Sequence, residues 1–228
     1  MDDNARGDER IGSLGGSFEA RAGSSRELAG VYLHVPFCSA ICPYCDFAVT
    51  TGSRRARQEF AATLLEEIRL HEWFREPADT IYLGGGTPSA LDDDALAAIL
   101  DTLRATLAIS SDAIVSLEAN PEDVERARLD RWKSLGVSTV SLGVQSFKDE
   151  ELRFLARRHD ALRARESVEL ALEAGFRTVS VDLIFGLPGQ RRSALDGNLD
   201  EIAALAPHHV SLYQLTIHSE TPFARYRD

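Results

Sequence analysis

The sequence predicts an α/β fold built on a parallel sheet, and two observations carry that prediction. From about residue 29 onward, short runs rich in β-branched and aromatic residues alternate with amphipathic helical patterns; such alternation implies right-handed strand–helix–strand crossovers. Residues suited to chemistry recur late in those runs or just beyond them, where parallel α/β sheets build their sites. The first strand is VYLHV at 31–35, followed by RARQEFAATLLEEIRLHEWF, whose apolar residues Phe60, Leu64, Leu65, Ile68 and Trp73 recur at helical spacing. TIYLG at 80–84 is the second strand, and the helix after it opens on Asp92–Asp94, which suit the positive end of a helix. AIVSLEA at 113–119 leads into PEDVERARLDRWKSLG, a helix stopped by its final glycine. The pattern continues with a strand at 139–144, helices at 149–157 and 160–174, a strand at 178–186, a helix at 193–205 and a sixth strand at 209–215. An open doubly wound sheet and a partial β/α barrel both fit this order.

Composition narrows the function classes. The 228 residues are 44% apolar and 27% charged, which excludes collagen-like, wholly disordered and disulfide-scaffold chains. With 25 basic and 36 acidic residues the net charge is −11, a balance that repels a phosphate backbone, so no nucleic-acid partner is expected. No stretch approaches the ~18–20 apolar residues of a membrane helix, so no transmembrane segment is expected. Residues 1–28 are glycine-rich, lack an apolar signal segment and show no sustained period, and they read as a disordered leader.

All three cysteines lie within residues 38 to 45. An odd number so confined cannot form a disulfide framework, which is consistent with a reducing, cytoplasmic compartment. Cys38, Cys42 and Cys45 follow a C-x3-C-x2-C spacing on a strand-to-helix loop, and three thiolates that close can wrap one metal centre. Structural zinc completed by His34 or another histidine, and unligated buried thiols, stay open beside an iron–sulfur cluster. A cubane held by three cysteines would leave one iron free to bind a substrate.

With Tyr44 before the third cysteine, CSAICPYC resembles the signature of radical S-adenosylmethionine proteins. The ordered set YLHVPFCSAICPYCDF, LGGGTPS, LEANPED, GVQSF with LARRHD, DLIFGLPGQ and VSLYQLTI resembles the oxygen-independent coproporphyrinogen III oxidase-like family, most of all its HemW heme-chaperone group. The resemblance runs from about Gly30 to the end. It implies a partial (β/α)6 TIM-like barrel in a core domain over 29–228, with the family's C-terminal part, heme-binding motif included, outside the chain. It further implies a 4Fe-4S cluster on Cys38, Cys42 and Cys45, whose fourth iron chelates S-adenosylmethionine and whose electron cleaves it to a 5′-deoxyadenosyl radical.

Other site residues follow from the same resemblance, each beside a plainer reading. Tyr32 and Tyr44 match aromatic positions near the cluster and adenosylmethionine, although Tyr32 fits a strand core residue with a satisfied hydroxyl equally well. Gly84, Gly85 and Gly86 let backbone approach a ligand, and Gly85, Gly86 and Thr87 are expected to meet the methionine amino group. Glu118, Gln145 and Asp182 end otherwise apolar strands, where ribose hydroxyls and an ammonium group would satisfy them; the alternative is an internal network with Arg157. Arg157 matches a position that pairs with the adenosylmethionine carboxylate, with Arg158 and His159 readable as a solvated helix end. Leu215 aligns with an apolar neighbour of adenine.

Two functions of different class remain. One is a heme chaperone that retains cluster and adenosylmethionine and delivers heme to acceptor proteins. The other is an oxidase that decarboxylates the propionates of coproporphyrinogen III to vinyl groups. The related oxidases carry a fourth cysteine where this chain has Phe47, which favours the chaperone and leaves no catalytic residue assigned. Heme or a porphyrinogen, heme-accepting proteins and an electron donor such as flavodoxin or ferredoxin are the expected partners. Relatives follow the sixth strand with a Glu-Pro-Gly-Thr-like turn, and here it is His218-Ser219-Glu220-Thr221.

Overall fold

A computed structural model describes residues 28–226. Six strands, β1 (Ala29–Val35), β2 (Ala78–Gly85), β3 (Ile109–Ala119), β4 (Thr139–Gln145), β5 (Thr178–Phe185) and β6 (His209–Gln214), form one wholly parallel sheet in chain order. That order selects between the two expected architectures. A doubly wound sheet reverses direction at a switch point, whereas here every crossover steps the same way, as in a β/α barrel. β1 and β6 do not pair, so the sheet is an open, partial barrel. The expected leader over 1–28 falls outside the described residues apart from Leu28.

The helices are α1 (Arg54–Leu70), α2 (Asp93–Thr106), α3 (Arg126–Ser134), α4 (Asp149–Phe154), α5 (Ala161–Glu173) and α6 (Arg192–Leu205). Side chains alternate across each strand, so every second residue faces the helices. Leu33 and Val35, Ile81 and Leu83, Val115 and Leu117, Val140 and Leu142, and Val179 and Val181 pack in one buried cluster with Leu64 and Ile68 of α1 and Leu96, Ile99, Leu100 and Leu103 of α2. Each such side chain contributes roughly 1.5–3 kcal/mol by leaving water. The opposite strand face carries Tyr32, His34, Tyr82, Glu118, Ser141, Gln145 and Asp182, residues unsuited to that core.

Three element boundaries differ from expectation for local reasons. α1 ends at Leu70, so Trp73 lies beyond it and is 70% exposed instead of extending the buried stripe. PEDVERARLDRWKSLG splits into a short turn over Pro121–Asp123 and α3, because Val124 is extended. α4 stops at Phe154 rather than residue 157, since Ala156 adopts a left-handed φ of 53°. Among the described residues no helix is long and apolar enough to cross a membrane.

Candidate functional site

The cysteine loop leaves β1 and is pinned at its base. Cys38 N–H donates to Thr50 O at 2.9 Å, and Thr50 N–H to Pro36 O at 2.8 Å. Cys45 N–H turns back to Cys42 O at 3.0 Å. His34 adds a further tie, its Nε2 lying 2.8 Å from Ala48 O while Nδ1 meets the Tyr32 hydroxyl at 3.0 Å. A carbonyl only accepts, so Nε2 carries the hydrogen and Nδ1 accepts from Tyr32. Both ring nitrogens are thereby committed, which removes His34 as a zinc ligand. Among the described residues no three His, Cys, Asp or Glu side chains converge on one metal ion.

The thiols open onto a cavity of about 390 Å³ at the carboxyl ends of the strands. Cys38, Cys42 and Cys45 share its wall with Tyr44, Gly85, Gly86, Thr87, Glu118, Gln145, Arg157, Asp182 and Leu215. Of the residues expected from sequence to meet a cofactor or metal, Tyr32, His34 and Gly84 stand outside that wall. Tyr32 is 58% exposed on the inner strand face, stacked on Tyr82 with ring centroids 6.1 Å apart and bonded to His34 through its hydroxyl.

A polar chain links the thiols to β3 and β4. Arg157 donates to Asn120 Oδ1 at 2.6 Å, Gly143 O at 2.8 Å and Cys42 Sγ at 3.5 Å. Asn120 Nδ2 donates to Thr87 Oγ1 at 3.1 Å, and the Thr87 hydroxyl donates to Cys38 Sγ at 3.5 Å. Burial pushes the Cys38 thiol up, opposed by the Thr87 hydrogen bond and the Arg157 charge. Burial likewise raises Cys45, opposed by the Phe47 backbone. Binding a metal would take up the thiolate form that burial alone disfavours.

The carboxylates do not join Arg157. Glu118 accepts from the Tyr82 hydroxyl at 2.7 Å and Gly85 N–H at 3.2 Å, and burial holds its carboxyl above the usual range. Asp182 takes the Ser141 hydroxyl at 3.3 Å and is also raised by burial. Gln145 sits at a register skip between β4 and β5 with a left-handed φ of 69°, a strained backbone for a residue with a Cβ. That kink delivers its side chain to the cavity.

The glycine run has a packing reason beside the expected ligand contact. A Cβ at Gly84 would meet the Tyr82 ring at 2.7 Å, one at Gly85 the His34 ring at 2.6 Å, and one at Gly86 the Pro36 backbone at 2.8 Å. The protein's own neighbours exclude side chains there. His159, expected at a solvated helix end, is instead 6% exposed. Tyr82, Ser141 and His34 were not picked out as cavity or loop-positioning residues; the period-two alternation of the strands would have placed all three on the inner face. Beyond β6, Phe223 N–H donates to Pro43 O at 3.0 Å, and Phe223 packs with Tyr44, Leu155, Ile184, Leu187 and Leu215 behind the cysteine loop. His218, in the turn that departs from the related pattern, lies 3.2 Å from Asp46 through Nε2.

The profile of the Radical SAM superfamily matches residues 32–206. Heme chaperone HemW of Escherichia coli (strain K12) is 37% identical over 196 residues, 85% of this chain and 52% of its own length. Heme chaperone HemW of Mycobacterium tuberculosis (strain ATCC 25618 / H37Rv) is 37% identical over 209 residues, 86% of this chain and 52% of its own. The chain thus spans about half the length of these curated relatives. The structure of coproporphyrinogen III oxidase (HemN) from Escherichia coli, a radical SAM enzyme, superposes with a TM-score of 0.80 at 27% identity, covering 87% of this chain and 46% of that one. With the profile spanning most of the sheet and the cysteine loop at its mouth, the chain belongs to the radical SAM superfamily.

Proposed function

We propose that this chain is the cofactor-binding core of a heme chaperone, holding a 4Fe-4S cluster on Cys38, Cys42 and Cys45 and S-adenosylmethionine in the adjoining cavity. The observation that carries this reading is the three-thiol loop facing Thr87, Glu118, Asn120, Arg157 and Asp182 across one cavity. When bound, the cluster would supply the electron that breaks the adenosylmethionine sulfonium bond. The residues have separable tasks. Arg157 offers a fork suited to a carboxylate and reaches Cys42 from the same guanidinium. Glu118, held by Tyr82 and Gly85, and Asp182, held by Ser141, present acceptors to hydroxyl and ammonium groups. The apolar wall of Tyr44 and Leu215, backed by Phe223, suits a purine and keeps water from the loop.

The HemW relatives and the aromatic Phe47 support the chaperone over the oxidase. Phe47 is 68% exposed on the cavity rim. The likeness to HemN keeps radical decarboxylation of a porphyrinogen as the second reading. The test is anaerobic reconstitution of the chain with iron and sulfide, then supply of adenosylmethionine, reductant and coproporphyrinogen III. The chaperone reading expects cluster assembly and adenosylmethionine binding with no vinyl product. Vinyl-bearing product would overturn it in favour of the oxidase.

A further inference from the structure

Two side chains from one short turn cross the same gap in parallel. After α4, the left-handed Ala156 ends the helix, and Arg157 and His159 both turn inward while Arg158 between them stays exposed. Arg157 joins Asn120 to Gly143 O. His159 lies 3.3 Å from Glu122 Oε2 through Nδ1 and 3.0 Å from Val144 O through Nε2. Asn120 and Glu122 belong to the exit of β3. Gly143 and Val144 are successive β4 residues just before the strained Gln145. Each side chain is therefore one rung between the same two segments.

The chemistry of the second rung follows from what its partners can do. Val144 O only accepts, so Nε2 bears a hydrogen. A carboxylate also only accepts, so a hydrogen must lie between Nδ1 and Glu122. Burial alone would raise the Glu122 carboxyl, but the His159 hydrogen bond and the Arg157 charge bring it below the usual range. The His159 side chain is completely buried, and water cannot replace either partner.

We infer that His159 is a positioning residue that forms the second rung of a brace beside Arg157 and holds the β3 and β4 exits in register around the cavity. The inference rests on the cavity being the adenosylmethionine site. Without the second rung, Asn120, Gln145 and Arg157 lose their common frame, and ligand affinity falls although His159 itself does not line the cavity.

The experiment uses the full chain loaded with its cluster. A proton–nitrogen correlation spectrum at neutral pH should show the His159 Nε2 hydrogen at the shift of a hydrogen-bonded N–H, held by Val144 O, a signature that mere packing would not produce. Equilibrium dialysis with labelled adenosylmethionine should give His159→Phe an affinity at least ~10-fold weaker than wild type at unchanged iron content. His159→Gln, whose amide can donate to both acceptors, should recover most of that loss. An Nε2 hydrogen without that shift, wild-type affinity in His159→Phe, or no recovery in His159→Gln overturns the inference. Should His159→Phe fail to fold, the spectrum and His159→Gln decide. A wild-type chain with a full cluster and no affinity for adenosylmethionine overturns the underlying reading, whereas intact binding in wild type and His159→Phe alike overturns the brace alone.

Discussion

Replacing Gly86 with alanine separates two explanations of the glycine run. The added Cβ would lie 2.8 Å from both the carbonyl carbon and oxygen of Pro36 and 2.9 Å from the carbonyl oxygen of Phe37. All three are backbone atoms, and ordinary contact begins at 3.4 Å, so the chains must part by about 0.5–0.6 Å. Two hydrogen bonds cross this junction, from Gly86 N–H to Val35 O and from Thr87 N–H to Phe37 O, each 2.8 Å long. Over-packing of this kind costs ~1–3 kcal/mol, and weakening one such bond adds ~0.5–1.5 kcal/mol. A total of ~2–4 kcal/mol corresponds to a Tm lower by ~5–15 °C for a domain of this size. The assay is thermal unfolding of the metal-free chain, with Gly30→Ala as control, because a Cβ there meets nothing within 4 Å. Gly30→Ala should unfold like the wild type. If Gly86→Ala also does, and only ligand affinity falls, the glycine serves the ligand and the packing argument is wrong.

Three further outcomes follow from the same geometry. Arg157→Ala removes the donor shared by Cys42, Asn120 and Gly143, and should weaken adenosylmethionine binding by ~10–100-fold, the worth of one or two charged hydrogen bonds; Arg157→Lys should stay nearer to alanine than to wild type, since a point charge cannot replace the fork. Because burial raises the folded-state carboxyl of Asp182, its stabilising contribution is present below the unfolded value of ~3.9 and is lost as pH rises through the raised value. Metal-free Asp182→Asn should therefore match wild-type Tm near that acidic limit and exceed it increasingly toward neutral pH; a constant offset would refute this. The raised Cys38 and Cys45 thiols should be alkylated more slowly at neutral pH than a free cysteine peptide, the gap closing in alkali, as read by mass spectrometry of the labelled sites.

Much of this architecture is written in local pattern. The six strands and the placement of Cys38, Glu118, Gln145 and Asp182 at their carboxyl ends follow from alternation of apolar runs with helical spacing. Winding direction does not, because strand–helix alternation is the same whether successive crossovers step one way or reverse. The packing around Tyr32 and the glycines is not legible for a related reason. Which atom lies opposite Gly86, or whether Tyr32 meets a ligand or His34, is decided by neighbours from other strands. His159 was the clearest such case, since its charged neighbourhood suggested solvent until the turn at Ala156 directed it inward.

The central claim is that three thiols hold one cluster with an iron left open to adenosylmethionine. Anaerobic reconstitution followed by iron and sulfide analysis, with electron paramagnetic resonance of the reduced protein before and after adding adenosylmethionine, tests it most directly. The account predicts ~4 irons per chain, loss of the cluster in Cys42→Ala, and a changed resonance when adenosylmethionine binds. Full iron in Cys42→Ala, or a resonance indifferent to adenosylmethionine, would contradict it.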